Sequence, residues 1–371
     1  MPLSAVKPEQ YTSLLEGKAA RINELMSDFC PPPAQIYPSS PTAYRMRAEF
    51  RIWHDGDALD YVMFRREDPR TPVAIHDFPI GCETIQALML PLRAYLQANP
   101  ELRRKLFQVE FLATLAGDAL VTLIYHRPLQ DAWETQAEAL RQALQAISPK
   151  LSLIGRSRKQ KRILGNDWVR EILTVEGREY QYQQYEQAFT QPNARVNTHM
   201  IEWACARAAK LEGDLLELYC GNGNFTIPLA AHFDQVLATE LAKISVRSAR
   251  ENLSTNEVDN VQIIRLSAEE VTQAMNGERQ FRRLAELPRS LGDYDLRTVF
   301  VDPPRAGLDE QTVKMVQGFE SIIYISCNPY TLAGNLRVLC TTHTIERFAM
   351  FDQFPYTDHM ECGVLLTRHM N

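Results

Sequence analysis

At 371 residues the chain is long enough for two domains, and with 45% hydrophobic and 23% charged residues it has the make-up of a folded globular protein, which excludes a disordered or fibrous chain. A net charge of −6 argues against a protein that coats nucleic acid without selectivity, and no stretch approaches the roughly 18 consecutive apolar residues of a membrane span. The seven cysteines, at 30, 82, 205, 220, 327, 340 and 362, form no CxxC pair, so no metal site and no iron–sulfur cluster is expected, and reduced thiols in a cytoplasmic protein are.

Residues 11–26 place apolar side chains at helical spacing, and CPPP at 30–33 stops that helix because proline has no amide to donate. Between 44 and 64 two alternating stretches flank HDGD, the pattern of a hairpin. FQVEFLATL, ALVTLIYH and LSLIG predict further strands, with an amphipathic helix over 134–147. The first half is therefore mixed α and β. Its positive charge gathers in YRMRAEFRIW (44–53), at Arg65 and Arg66, in RRK (103–105) and most densely in RSRKQKR (156–162).

After residue 194 the rhythm changes to strand, helix, strand, helix: DLLELYC, FTIPLAAHF, QVLATEL, a helix over 244–253, then VQIIRLSA. Such alternation requires right-handed crossovers and a parallel sheet. RTVFVDPP and SIIYISCNP follow, two β-branched runs of the kind buried at a sheet centre. The expected division is 1–185 as one domain and 186–371 as the other.

Several strand ends carry chemistry. LYCGNGNF puts Gly221 and Gly223 in a turn between strand and helix, where glycine lets the backbone approach a ligand. Thr226 stands where a dinucleotide fingerprint would have its third glycine, which disfavours a pyrophosphate. Glu240 ends the next strand near the spacing at which a carboxylate meets ribose hydroxyls, although these two features alone read as a tight turn with a solvated glutamate. DPPR at 302–305 is a proline-stiffened loop after a buried strand, an acceptor site or simply a rigid strand exit. Cys327, followed at once by Asn328 and Pro329, emerges at the rim of the sheet, where a thiol of ordinary pKa, about 8.5, is partly ionised. In FPYTDHMECGVLL, Glu361 is a candidate base, and His359 has no second histidine at ligand spacing.

Taken together, LLELYCGNGNF, FVDPPRAGLD, YISCNP and FPYTDHMECGVLL, in that order and preceded by FTQPN (189–193), closely resemble the RNA uracil-5-methyltransferase family. YRMRAEFRIWHDGD and KLFQVEF extend the resemblance over nearly the whole chain and toward the branch that makes ribothymidine in the T-loop of tRNA. The resemblance implies a class I (Rossmann-like) S-adenosylmethionine methyltransferase domain behind a mixed α+β RNA-binding domain. It implies that Gln191, Tyr219, Asn224, Glu240 and Asp302 contact S-adenosylmethionine, that Cys327 is the nucleophile and that Glu361 accepts the proton. The implied RNA is the tRNA T-arm, with tRNA-like T-loops such as that of tmRNA as further substrates. Ribosomal RNA and a non-catalytic T-arm remodelling role stand as alternatives.

For RNA contact, Arg45, Arg47, Arg51 and the RSRKQKR run are candidates for phosphates, and Trp53, Phe107 or His126 for stacking on bases, with Arg51 and Phe107 foremost. A solvated charge and a core aromatic are the competing readings of those last two.

Overall fold

The computed structural model describes residues 6–65 and 67–369, so that Arg66 of the second basic group lies outside the described residues. The chain divides into two compact units that are interleaved along the sequence. The first comprises Ser40–Ile172 and Gln183–Ala194 with the N-terminal residues to Glu9; the second comprises Gln10–Ser39, Leu173–Tyr182 and Arg195–Asn371. Where one cut at 185/186 was expected, the helix over 11–26 falls in the second unit and the segment 183–194 in the first.

Elements are numbered along the chain. The first unit holds a seven-stranded sheet in the order β4-β3-β2-β5-β6-β7-β8. Its strands are β2 (Arg47–Asp55), β3 (Ala58–Phe64), β4 (Pro72–Ala74), β5 (Leu106–Ala113), β6 (Ala119–Tyr125), β7 (Ser152–Ser157) and β8 (Gln160–Leu164). The predicted hairpin is β2/β3, closed with Asp55 opposite Ala58 and with Gly56 at φ 57°, a left-handed turn position that glycine adopts without strain. Along β2 the alternation buries Ala48, Phe50 and Ile52 and leaves Glu49, Arg51 and Trp53 outside. Phe50 packs with Tyr61, Phe78 and Phe111. Helices α2 (Glu83–Ala98), α3 (Pro100–Arg103) and α4 (Asp131–Leu144) belong to this unit, α2 burying Leu88, Leu92 and Leu96, and α4 burying Trp133, Ala137 and Leu140.

The second unit is built on an eight-stranded sheet, β1-β16-β17-β15-β14-β11-β12-β13. Its members are β1 (Gln35–Tyr37), β11 (Asp214–Leu218), β12 (Val236–Thr239), β13 (Val261–Ile264), β14 (Leu296–Val301), β15 (Ser321–Ser326), β16 (His343–Phe351) and β17 (Glu361–Arg368). All neighbours pair in parallel except that β17 runs against both β15 and β16. The helices of this unit are α1 (Tyr11–Met26), α6 (Thr226–Leu229), α7 (Lys243–Thr255), α8 (Ala268–Met275), α9 (Glu310–Val316) and α10 (Pro329–Leu339), with nearly all of α5 (Ala194–Ala208). The hairpin of β9 (Trp168–Val175) and β10 (Arg178–Tyr185) has residues in each unit.

β11 and β15 are buried along their whole length, which is why β15 is apolar between its terminal serines and β11 is apolar except for the buried Asp214 and Glu217, rather than alternating. One core joins Leu216, Val299, Val301, Ile322 and Val364 of the sheet to Ile22 and Met26 of α1 and Leu332 and Leu336 of α10. Fully burying each such side chain is worth roughly 1.5–3 kcal/mol, so α1 is an integral part of this unit although it lies far from it in sequence.

Candidate active site and nucleic-acid interface

Strand register brings the candidate residues of the second unit to one edge of its sheet. Leu218 pairs with Thr239 on one side and Val301 on the other, which sets Tyr219 beside Glu240 and Asp302 just past the strand ends. Val301 in turn pairs with Tyr324 of β15, the strand that leads to Cys327. Because β17 is antiparallel and Ser326 pairs with Cys362, the next step of the register sets Cys327 against Glu361. Carboxyl ends of parallel strands are where open α/β sheets hold ligands. Here the amino end of one reversed strand joins that row and contributes a carboxylate to it.

Local hydrogen bonds hold each loop. Asn328 caps α10 by accepting from the Tyr330 amide (3.1 Å) and donates to the Arg305 carbonyl (3.1 Å), tying the cysteine loop to DPPR. Asn335 of α10 accepts from the Leu308 amide (3.1 Å) and donates to its carbonyl (3.0 Å). Gly307, at φ 75°, leaves no room for a side chain, since a Cβ would lie 2.9 Å from Asn335 Oδ1. Glu240 accepts from the Gly221 amide (3.1 Å) and the Ala242 amide (2.7 Å). Asn224 exchanges amide hydrogen bonds with Asn197 of α5 (2.9 and 2.8 Å). Tyr219 stands at φ 62°, a left-handed conformation uncommon for a bulky residue and one that clusters at ligand sites. Gln191 belongs to the first unit.

The row is short of positive charge. Burial pushes the Cys327 thiol up to about 11, and negative charge on Glu361 and Asp302 adds to that, while Arg305 opposes it. Burial likewise drives Asp302 up to about 7 and holds Glu361 well above the ordinary carboxylate range, the latter again with Asp302 raising and Arg305 lowering. Glu217, the third buried carboxyl, is raised to about 8, chiefly by burial and then by Asp302, against the nearby Thr226 hydroxyl. Its Oε2 has no hydrogen-bond partner. Each of these groups resists ionising alone, and each would be relieved by a cation.

The residues present fit S-adenosylmethionine, whose sulfonium and ammonium are cationic. Glu217 has an unmet buried oxygen, and a Cβ added at Gly221 would meet nothing within 4 Å, so the turn leaves open space for a ligand to lie against backbone. Among the described residues no group of histidine, cysteine and acidic side chains is arranged to hold a metal ion.

In the first unit, Arg51, Phe107 and His126 meet. The Arg51 guanidinium lies 3.9 Å from the Phe107 ring centroid, and the Phe107 and His126 rings are 4.1 Å apart. Phe107 sits at a bulge, because Leu106 pairs with Tyr125 and Gln108 with Ile124, leaving it without an opposite residue and turning its ring outward. Phe107, His126, Arg156 and Arg158 also line a surface hollow of about 730 Å³. Trp53 is exposed as well.

The expectation for the other cations needs correction. Arg156 is paired with buried Glu186 (2.5 Å), Lys161 with Asp167 (2.8 Å) and Glu186 (3.2 Å), and Arg162 with Asp131 and Glu134. Arg47 donates to the carbonyls of Ala188 and Glu186, and Arg45 to that of Arg47 (2.8 Å). These side chains are engaged within the unit, so the densest basic run in the sequence is not the freest positive surface. Glu217, near the end of a buried strand just ahead of the glycine turn, joins the candidate residues only through its burial and its unpartnered oxygen, which its sequence position does not reveal.

A family model described as tRNA (Uracil-5-)-methyltransferase matches residues 10–369. Three curated relatives each carry the name tRNA/tmRNA (uracil-C(5))-methyltransferase. That of Sodalis glossinidius is 56% identical over 97% of this chain and 96% of its own, that of Vibrio vulnificus 52% over 98% of each, and that of Aromatoleum aromaticum 50% over 99% and 98%. Among solved structures, the Pyrococcus abyssi tRNA (uracil-54, C5)-methyltransferase with S-adenosyl-L-homocysteine superposes with a TM-score of 0.72 over 96% of this chain and 83% of its own; at 21% identity it speaks to the fold. A match that runs through both units, with half or more of the aligned positions identical in these relatives, identifies the chain as a member of the tRNA (uracil-5-)-methyltransferase family.

Proposed function

We propose that this chain methylates C5 of the T-loop uridine of tRNA, and of the tRNA-like loop of tmRNA, with Cys327 as nucleophile and Glu361 as base. The observation that carries the reading is the β15/β17 register, which ends with Ser326 opposite Cys362, so that the next residues in line are the Cys327 thiol and the buried Glu361 carboxyl, whose charge acts on that thiol. The compartment that goes with such a substrate is the cytoplasm.

Uracil C5 is too weak a carbon nucleophile to take a methyl group unaided. The Cys327 thiolate adds to C6, and the electron pair of the C5–C6 double bond moves into an enolate with density at C5. Gln191, Tyr219, Asn224, Glu240 and Asp302, with the unpartnered carboxyl oxygen of Glu217, would hold S-adenosylmethionine, which would supply the electrophilic methyl to C5 as its S–CH3 bond breaks and S-adenosylhomocysteine is left. The Glu361 carboxylate then removes the C5 proton; that C–H pair re-forms the double bond and thiolate leaves C6. A thiol raised to about 11 is ionised in only about one molecule in 10⁴ at neutral pH. Arg305 is the positive side chain that favours the thiolate, and a cationic cofactor would add to it.

Reaching a base inside a folded T-arm requires swinging it out, at a cost of a few kcal/mol. Arg51, Phe107 and His126 form a stacking surface suited to RNA that has been opened in this way. The test is to incubate the protein with S-adenosylmethionine and a T-arm hairpin carrying 5-fluorouridine, whose fluorine cannot leave as a proton. A covalent RNA adduct on the Cys327 peptide is expected. Methylation of ordinary tRNA without such an adduct would sink the nucleophile assignment, and RNA binding with no methylation at all would favour a T-arm remodelling role.

A further inference from the structure

Glu361 is the first residue of β17, and the loop over 352–360 delivers it from β16. That loop is held by a side chain from the other end of the sequence. Lys18 of α1 is 5% exposed, and its ammonium donates to the buried Asp352 carboxylate, to the Phe354 carbonyl (3.1 Å) and to the His359 carbonyl (3.0 Å). An ammonium has three donors, and here one goes to the start of the loop, one to its interior and one to a point two residues before Glu361. The His359 ring continues the chain of contacts. Its Nδ1 accepts from the Arg305 guanidinium at 3.3 Å, and Arg305 is the cation that acts on both Cys327 and Glu361.

A buried ion pair is a poor device for stability alone, since apolar side chains of like volume often serve as well or better. Tying three points of one loop to a rigid helix is a geometric task, and an apolar side chain could not do it. We propose that Lys18 is a positioning residue for the reaction, fixing the loop so that Glu361 meets the C5 proton and the His359 ring meets Arg305. This rests on the roles given above to Cys327 and Glu361.

Two consequences separate positioning from mere support. Displacing Glu361 slows the last step, proton removal and release of Cys327, without preventing addition or methyl transfer. A covalent protein–RNA adduct carrying the new methyl group then builds up on natural uridine. The experiment compares Lys18→Met, the double variant Lys18→Met with Asp352→Asn, which leaves no unpaired buried charge if the single variant folds poorly, and Glu361→Gln, all on an ordinary T-arm hairpin. Expected for the double variant are a kcat lowered about 10- to 100-fold, a KM for RNA within about twofold, and a several-fold rise in methylated adduct at Cys327. A lowered kcat with no adduct, a wild-type kcat, or the absence of folded protein in both Lys18 variants would overturn the proposal. Adduct in Glu361→Gln but not in the double variant removes Lys18 alone, whereas absence from Glu361→Gln removes the base assignment and Lys18 with it.

Discussion

The two units use charge in opposite ways. In the second, Glu217, Asp302 and Glu361 are held back from ionising by burial, and one oxygen of Glu217 is left without a partner. In the first, a basic run that looks poised for phosphate is largely neutralised by Glu186, Asp167, Asp131 and Glu134, and what stands outward is the Arg51, Phe107 and His126 stack. Unmet charge marks the chemistry in one unit, whereas in the other it is met charge that fails to mark the binding surface. A buried carboxyl without a cation costs several kcal/mol and persists when a ligand supplies the missing charge, while exposed ion pairs are worth little and form wherever side chains can reach.

The largest expected effect comes from Cys327→Ala, which removes the covalent route. Turnover should fall by at least about 10⁴-fold with tRNA affinity retained, as single-turnover methylation and filter binding would report. Measurable turnover at wild-type rates would end the contrast at its root. Glu361→Gln comes next, with a loss of about 10²- to 10⁴-fold in kcat. In the unaltered protein the carboxyl must be ionised to take a proton and its pKa is raised, so kcat should fall with decreasing pH along a limb above the ordinary carboxylate range. The variant should lack that limb.

Phe107→Ala should weaken RNA binding by about 1–3 kcal/mol, the usual value of a stacked base, without changing the affinity for S-adenosylmethionine. Equal effects on both ligands would dissolve the distinction between the two units. Glu217→Gln should bind the cofactor more weakly and yet make the free protein more stable in alkali. The carboxyl's folded pKa, about 8, lies above its unfolded value, so the stability it allows is complete below the unfolded pKa and is lost as pH rises through about 8. Glutamine removes that loss, on the order of 5 kcal/mol in urea denaturation above that pH. The smallest effect is a contrast within the basic run. Arg162→Ala, already paired, should leave the salt dependence of RNA binding unchanged, while Arg158→Ala, lining the hollow beside Phe107, should reduce its slope by about one.

Much of the second unit could be read directly. The helix predicted over 11–26 has those bounds, and the strands ending in LYCGNG, VDPP and ISCNP all form, because apolar periodicity and proline stops act over a few residues. FTIPLAAHF was a poorer guide: only α6 and one 3-10 turn form there, with Pro228 inside the short helix. The helix expected over 134–147 is α4, begun three residues earlier and ended three earlier. The bulge at Phe107 left no trace in an unbroken β-like run, since a bulge is a matter of how two strands align.

The sequence by itself determined which segments become strands and helices and which chemical groups end them, since both follow from the pattern of neighbouring residues. Only the tertiary structure decided that β17 runs backward, with Cys362 opposite Ser326, and so carries Glu361 to the strand end that leads into Cys327, that Glu186 neutralises Arg156, and that Lys18 reaches a loop 334 residues away. Strand direction, ion pairing and the burial of a charge depend on what folding brings alongside a residue, and that is settled by the packing of the whole core rather than by any local run of side chains.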